Sequence, residues 1–550
     1  MHVTEHILGK VLTTDVLVLG AGASGCGAAL GARQQGQSVL VLDKGKLESA
    51  GCCGGGNDHF MVVLEEDGPT DTPEAFIEFM HKPLSGWSRA VLQKWCDNMR
   101  PCLKMLDDAG VAFVKEADGS YRRSQGFGQP GKWWTHIGRG MLLKRIMASM
   151  VRGQGAQVLD HTMALKLLVT DGRCCGALAW NVLDGDYYII RAKTVVSAQG
   201  RTALRSSTNS TRNAYNIWQY PYNTSAGFVL SYEAGAEIAC MDSAPRATLI
   251  PKGYGAPGMN GINNMGGHEL NALGERFMGR YDPVHWENTR RDLQIKATFN
   301  EARVGSGPPF FMDMTHFSPE DADHLQYVLM PGDKATYNDW TDRLGIDFKR
   351  DKLEVEIGEI CLGGLVRLDD NFETTLPGLF NGSPFIYCSG AFCGGYQAGK
   401  EAAQAASGQL TLLPFDEGAA LAAKTEFFAP LGQDEGLSYQ ELEEALRNVM
   451  DYYMGFQRSG AGIELAVKKL EFLAGEQSHL RAADLRQLMR VIEAREILKV
   501  SWLSAKACEQ RTESGRTLYT RSDHPEQNPD MGKPLVLWQD KGQLHFRWGI

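Results

Sequence analysis

The chain has 550 residues, 43% hydrophobic and 22% charged, which is enough to bury several cores and too apolar for a disordered polymer. Lys and Arg number 56 and Asp and Glu 66, so the net charge of −10 argues against nucleic acid or an anionic membrane surface as a partner. No apolar run approaches the roughly 18 residues of a membrane helix, no leader is visible, and 12 Cys in such a chain fit reduced thiols and a cytoplasmic location.

The first element in the chain is an apolar β-rich run, Asp15–Leu19, predicted as a buried parallel strand. It enters Gly20-Ala21-Gly22-Ala23-Ser24-Gly25, then a small-residue helix over Cys26–Gln35 stopped by Gly36. A second strand, Ser38–Leu42, ends in Asp43 and Lys44. In such a unit Gly20 makes the tight turn, Gly22 lets the backbone approach a pyrophosphate, and Gly25 lets helix and strand pack closely. The helix N-terminus around Ala23 and Ser24 offers unpaired N–H groups to phosphates, and Asp43 can accept from a ribose diol. The unit predicts a bound dinucleotide.

Further on, Leu165–Val169 and Gly176–Trp180 flank the turn Asp171-Gly172-Arg173 and read as strands. Tyr187–Ile190 reads as another, and Ala192–Ser197 as one more, running into Ala198-Gln199-Gly200. Far downstream, Thr374–Gly382 leads through Gly394, Gly395 and Ala398 into a predicted helix over Lys400–Ala406. A cofactor fold opened by an insertion and closed this late is the pattern of large flavoproteins, so FAD is preferred to NAD. The expected fold class is α/β: a Rossmann-type FAD-binding domain interrupted by an α+β capping domain and followed by a helical domain. The expected divisions are 1–235 and 351–412 for FAD, 236–350 for the cap, 413–505 for the helices and 506–550 for an extended tail. Helices are predicted over Tyr439–Tyr453, Ile463–Ala474 and Ala482–Ala507, with Trp538 and Trp548 of the tail packing on the body or a partner. No Cys-x-x-Cys, His-Glu-x-x-His, phosphate-binding Gly-x-x-x-x-Gly-Lys-Ser/Thr or Gly-x-Ser-x-Gly occurs, and with no Cys-x-x-Cys or His-Glu-x-x-His no metal site is expected in this chain.

Several longer motifs resemble the fumarate reductase/succinate dehydrogenase flavoprotein family. Asn271-Ala272-Leu273-Gly274-Glu275-Arg276-Phe277-Met278-Gly279-Arg280-Tyr281 is similar to its N-x-x-G-E-R-F-M-x-R-Y. Thr289–Leu293 resembles P-R-D-V-V, and Glu359–Gly364 stands where the family has H-Y-x-M-G-G. Arg511-Thr512-Glu513-Ser514 with Arg521–Pro525 resembles R-x-E-S … R-x-D-x-P. Trp218–Asn223, Gly253–Gly258 and Gly307–Asp313 look most like the adenylylsulfate reductase alpha (flavoprotein) subunits. The resemblance implies non-covalent FAD and electron exchange with a separate, ferredoxin-like iron–sulfur subunit in a hetero-oligomer. It also places Cys52, Gly55, Gly56, Ala198, Gly200, Gly382, Gly395 and Ala398 near the cofactor.

The departures bear on the substrate. Ser49–Gly56 lacks the His that carries covalent FAD in succinate dehydrogenases. The His of H-P-T-G has no counterpart between Ala244 and Gly255, and the other dicarboxylate-binding His is replaced by Glu359. The Arg that holds adenylylsulfate falls at Leu249, with Arg246 three residues early. The expected substrate is therefore neither fumarate nor adenylylsulfate.

The catalytic candidates are Arg291, Glu359, Tyr254, Trp218 and Tyr220. Arg291 matches the proton-delivering Arg of the dicarboxylate enzymes, although beside Arg290 it also reads as part of a charged surface run. Glu359 is a general base if buried, or an element-end carboxylate facing water. Trp218, Tyr220, Tyr222 and Tyr254 would suit a planar phenol, quinone or enone, or else pack a core. His268 is expected in a loop. Cys52-Cys53 reads either as a redox-active vicinal pair or as small residues packed against FAD. The leading function is an FAD-dependent oxidoreductase acting on a small organic substrate. The alternatives are a true adenylylsulfate reductase flavoprotein of the alpha type, or a non-catalytic electron-transfer component of a larger complex; an RNA-modifying flavoprotein conflicts with the acidic balance.

Overall fold

The computed structural model describes residues 8–550 except 127, 204, 218–219, 244–247, 256–258, 359–361 and 410. Its centre is a sheet built from β1 (Lys10–Leu19), β2 (Val39–Leu42), β3 (Gln157–Leu159), β4 (Thr162–Thr170), β5 (Arg173–Asn181) and β6 (Tyr187–Ser197), in the order β3-β2-β1-β6-β5-β4. β3, β2, β1 and β6 are parallel, whereas β5 runs antiparallel to both β6 and β4. The Leu/Val alternation of the first two strands now has a reason. Val16, Val18, Val39 and Val41 enter the core on one face, and Leu17, Leu19, Leu40 and Leu42 the core on the other. A parallel sheet covered on both faces needs apolar residues at every position.

One expectation is corrected here. Tyr187–Ile190 and Ala192–Ser197 form the single strand β6, with only Arg191 and Lys193 partly exposed along it. Its first half pairs with β5, and its second half pairs with β11 (below), so one long strand forks the sheet.

Between Leu249 and Ile357, four short strands form a second, antiparallel sheet. They are β7 (Leu249–Pro251), β8 (His268–Leu270), β9 (Phe310–Asp313) and β10 (Leu353–Ile357), in the order β7-β10-β9-β8. Helix α2 (Arg291–Arg303) lies within this stretch. The chain then returns to the main sheet as β11 (Leu379–Asn381), and a 22-residue helix (Tyr387–Gly408) follows, labelled α3, with α1 being Ala23–Gln34.

Helix α3 begins at Tyr387, well before the predicted Lys400. Its glycines explain the difference, because they serve a helix seam. A Cβ on Gly27 or Gly31 would lie 2.2 Å from the carbonyl oxygen of Phe392 or Tyr396, and one on Gly395 or Gly399 would lie 2.0 or 2.1 Å from that of Ser24 or Ala28. Backbones that touch this closely admit no side chain at the crossing.

The helical region holds α4 (Tyr439–Tyr453), α5 (Gly460–Gly475) and α6 (Leu485–Gln510), close to expectation. Ser438 and Glu441 close a reciprocal capping box on α4. The tail is not extended. Leu535–Asp540 (β12) and Gln543–Trp548 (β13) form a hairpin that adds to Ile238–Ala239 and Leu365–Val366. Trp548 packs under the Arg511 guanidinium at 4.8 Å, and Trp538 stacks on His545 at 5.4 Å. The C-terminal motif is a latch. Buried Arg511 pairs with Asp242 and Glu513, and the Ser514 hydroxyl accepts from the Arg521 N–H at 2.7 Å and donates to the His524 carbonyl at 2.7 Å.

Candidate active site

A cavity of about 840 Å³ runs from the β1–α1 turn to the second sheet's side of the molecule. That volume lies in the ~300–1,000 Å³ range of cofactor and small-molecule sites. Its floor is the Gly-rich turn. Gly20 has φ +96°, and a Cβ on it would lie 2.7 Å from the Ala198 carbonyl oxygen. A Cβ on Gly25 would overlap the Gly20 carbonyl oxygen at 1.8 Å, so Gly25 serves the helix–strand contact and not the cavity surface. At Gly22 an added Cβ meets only Gly51 Cα, at 3.6 Å, which leaves the first turn of α1 bare toward the cavity. Its N–H groups have no intrahelical partners and face where a pyrophosphate would lie.

Asp43 accepts from the Ala21 N–H at 2.8 Å through Oδ2 and from the Gly45 N–H at 2.7 Å through Oδ1. Each carboxylate oxygen keeps a lone pair for a ribose hydroxyl. Bare helix terminus and aimed carboxylate together fit FAD. Gly22→Val should put a branched side chain into that open space. The variant is expected to purify with less than about a tenth of the wild-type FAD, read from flavin absorbance against protein, with its circular dichroism unchanged. Full flavin content would refute the assignment.

Among the other expected cofactor residues, Ala23, Ser24, Cys52, Gly55, Gly56, Ala198 and Gly200 also line the cavity. Lys44 lines it too, but its ammonium pairs with Glu493 at 2.8 Å. Gly382 lies beneath, where its carbonyl accepts from the Ser24 hydroxyl at 2.7 Å. Gly395 and Ala398 belong to the α1–α3 seam and do not reach the lining.

The described members of the aromatic set, Tyr220, Tyr222 and Tyr254, do not all reach the cavity. Tyr220 and Tyr222 line the cavity edge to face, 5.3 Å apart, but at the Asp43 end. Burial raises the Tyr220 phenol, with Asp43 and Glu493 adding to the shift. Tyr254 lies outside the lining. Its hydroxyl shares a 2.9 Å hydrogen bond with Thr336, and its ring packs on Tyr337 and Trp340. Leu249 is fully buried in β7, His268 opens strand β8 stacked on His316, and neither lines the cavity. Trp218, Arg246 and Glu359 lie outside the described residues.

Arg291 does line the cavity, as the first residue of α2, beside Arg290 and Asp292. Three further groups at this end carried no sequence signal. Lys82 comes from the loop after Pro73–Met80, and among the described residues it has no carboxylate within ion-pair distance. Burial, helped by Arg290 and opposed by Asp292, lowers its ammonium to about 8. Asp333 and Lys334 arrive because the glycine run folds against them: a Cβ on Gly56, φ +130°, would lie 2.1 Å from the Gly332 carbonyl oxygen. Burial and the nearby Asp58 push the Asp333 carboxyl well up, against the pull of Lys334 and Arg291. His59 Nδ1 lies 2.6 Å from Asp58 Oδ1, and its ring stacks on Trp134 at 3.5 Å.

Known proteins match this arrangement. Residues 15–457 match the family described as FAD binding domain, and residues 443–547 match fumarate reductase flavoprotein C-term. The chain is 23% identical to a fumarate reductase (CoM/CoB) polypeptide of Methanothermobacter marburgensis, over 95% of this chain and 96% of that one. It is 24% identical to L-aspartate oxidase of Vibrio cholerae, over 96% and 98%. Adenylylsulfate reductase from Archaeoglobus fulgidus shares the fold with a TM-score of 0.87 at 20% identity, covering 100% of this chain and 97% of that one. No helix among the described residues is long and apolar enough to cross a membrane. With its Gly-rich turn, Asp43 and both family regions in place, the chain belongs to the fumarate reductase/succinate dehydrogenase flavoprotein family and is an FAD-dependent oxidoreductase.

Proposed function

We propose that this flavoprotein transfers a hydride between non-covalently held FAD and an anionic organic substrate other than fumarate or adenylylsulfate, and exchanges electrons with a separate iron–sulfur protein in the cytoplasm. The carrying observation is the cationic end of the cavity, where Lys82 has no carboxylate partner among the described residues and stands beside Arg290 and Arg291 at a helix N-terminus. A half-buried ammonium that faces the Phe79 ring at 4.6 Å and feels Asp292 only from beyond ion-pair distance is incompletely compensated, and a substrate anion supplies further charge. The helix N-terminus adds its positive dipole end to the same place. This shifts the substrate class from the neutral ring compounds expected from sequence, because Tyr254 lies elsewhere and Tyr220 lies beside Asp43.

When bound, the flavin supplies the hydride chemistry. The chain's part is to hold the anion with Lys82 and Arg291 and to manage a proton. Asp333, whose carboxyl is pushed well up by burial and by Asp58, can hold a proton at its carboxyl oxygen against the pull of Lys334 and Arg291. Ser49–Gly56 offers no His for a covalent link, so acid precipitation should leave yellow FAD in the supernatant. The chain carries no Cys-x-x-Cys and its family resemblance is to flavoproteins that work with a separate iron–sulfur subunit, which supports an external iron–sulfur partner.

The test mixes anaerobically reduced protein with a panel of organic acids and their neutral amides or esters, with fumarate and adenylylsulfate included. Flavin reoxidation is expected with one class of acid and not with its neutral analogues. Reoxidation by neutral compounds alone would overturn the reading, and fast turnover with fumarate or adenylylsulfate would overturn the exclusion. The pH profile gives a second check. Lys82 holds an anion only while protonated, so KM should climb as pH rises through about 8. Lys82→Met should raise KM at neutral pH about 10- to 100-fold, the weight of a charge-assisted hydrogen bond, and flatten that limb. A wild-type KM that stays constant through this range would remove Lys82 from the site.

A further inference from the structure

Two cysteines far apart in sequence meet on the cavity wall. Cys53 sits in the one-turn helix Cys52–Gly55, and Cys388 sits in the first turn of α3. Their Sγ atoms are 3.3 Å apart, and both residues line the cavity that holds the Gly-rich turn. A disulfide requires about 2.05 Å, so a closing motion of roughly 1.2 Å joins them. The Cys53 side can supply that motion, because it is flanked by Gly51, Gly54, Gly55 and Gly56.

The two sulfurs are not equivalent. Cys388 stands in the first turn of a 22-residue helix, and its sulfur accepts the Cys53 S–H. The Cys53 thiol is pushed well up by its hydrogen bond to Cys388 and by burial, so it keeps its proton and donates it. Two thiols in sulfur–sulfur contact on the wall of a cofactor cavity have the arrangement of a redox dithiol. It differs from the vicinal Cys52–Cys53 pair that the sequence alone suggests. A second thiol contact, Cys393 with Cys102, is buried and does not reach the cavity, so it serves as an internal control.

We propose that Cys53 and Cys388 form a reversible disulfide that exchanges an electron pair with the flavin in the adjoining cavity, giving the protein a second two-electron store. In the oxidative direction two S–H bonds break and one S–S bond forms. The two electrons and two protons pass to oxidised flavin, which becomes dihydroflavin. The reverse reaction restores both thiols. Nothing in this step depends on the substrate class.

The test uses the holoenzyme. Protein poised in oxidised or reduced dithiothreitol is quenched with iodoacetamide, digested and mapped by mass spectrometry. The oxidised sample should yield a Cys53–Cys388 linked peptide, about 2 Da lighter than the two thiol peptides together, and the reduced sample should yield both cysteines alkylated. Cys102 and Cys393 should remain unlinked in both. Anaerobic dithionite titration of the oxidised wild type should consume about two electron pairs per flavin, against about one in Cys53→Ser and Cys388→Ser. Absence of the linked peptide under oxidising conditions would overturn the proposal, as would a wild-type titration that ends at one electron pair per flavin. If either variant fails to fold, the wild-type peptide map and titration decide.

Discussion

Arg291→Ala lowers turnover by about 10²- to 10⁴-fold and leaves the bound FAD in place, the loss expected when a group that orients charge or moves a proton is removed. The position accounts for both halves of that result. Arg291 is the first residue of α2 and lines the cavity with Arg290, Asp333 and Lys334, whereas the FAD-binding contacts assigned above come from the Gly20–Gly25 turn and Asp43. The neighbouring Arg290 provides the control. Its guanidinium grips Asp292 through two hydrogen bonds of 3.0 Å and is about half exposed, so Arg290→Ala should cost less than about tenfold. Arg291→Lys should fall between, since a lysine keeps the charge and loses the planar fork. The measurements are single-turnover flavin reoxidation and flavin content. A turnover within tenfold of wild type in Arg291→Ala would return Arg291 to the surface-run reading that its neighbour also permits.

Arg205→Met should destabilise the fold by about 3–5 kcal/mol, the usual loss when one partner is removed from a buried ion pair. The Arg205 side chain is fully buried, and its Nη2 donates to Glu443 at 2.9 Å and to Glu493 at 2.8 Å. Its Nη1 donates to the Pro221 carbonyl at 2.7 Å. Glu443 lies on α4 and Glu493 on α6, so one guanidinium joins the helical region to the segment that follows Gly200. Burial opposes the charge of Glu493, yet Lys44, Arg205 and Arg490 hold its carboxyl down to about 2. Its folded value therefore lies below the ordinary 4.5, so this contribution is complete above that pH and is lost as pH falls from 4.5 toward 2. Chemical denaturation should show the wild type losing stability across that window and Arg205→Met losing less of it. A cost below about 1 kcal/mol at neutral pH would mean that Lys44, Arg447 and Arg490 already satisfy both carboxylates.

Local sequence was sufficient where the constraint itself is local. The unit from β1 to Asp43 is legible because apolar runs, a turn that only glycine tolerates and a small-residue helix each impose their pattern within a few residues. Helix α4 is legible for the same reason, through its cap and its apolar period. Where partners come from afar, the same residues admit two readings. The glycines before Lys400 resemble a cofactor loop until α1 is laid against them, when they become the contact that lets two backbones touch. Tyr254 and Tyr220 are equally aromatic in sequence, and only packing sends one into a core with Trp340 and the other to the Asp43 end of the cavity. Lys82, Asp333 and Cys388 had no motif to mark them, because their chemistry comes from burial, from neighbours and from a shared cavity wall. The sequence by itself therefore determined the cofactor class, the Rossmann unit and the family. The tertiary structure decided the charge at the far end of the cavity and which thiols meet, because burial and proximity between distant segments exist only after the chain has closed on itself.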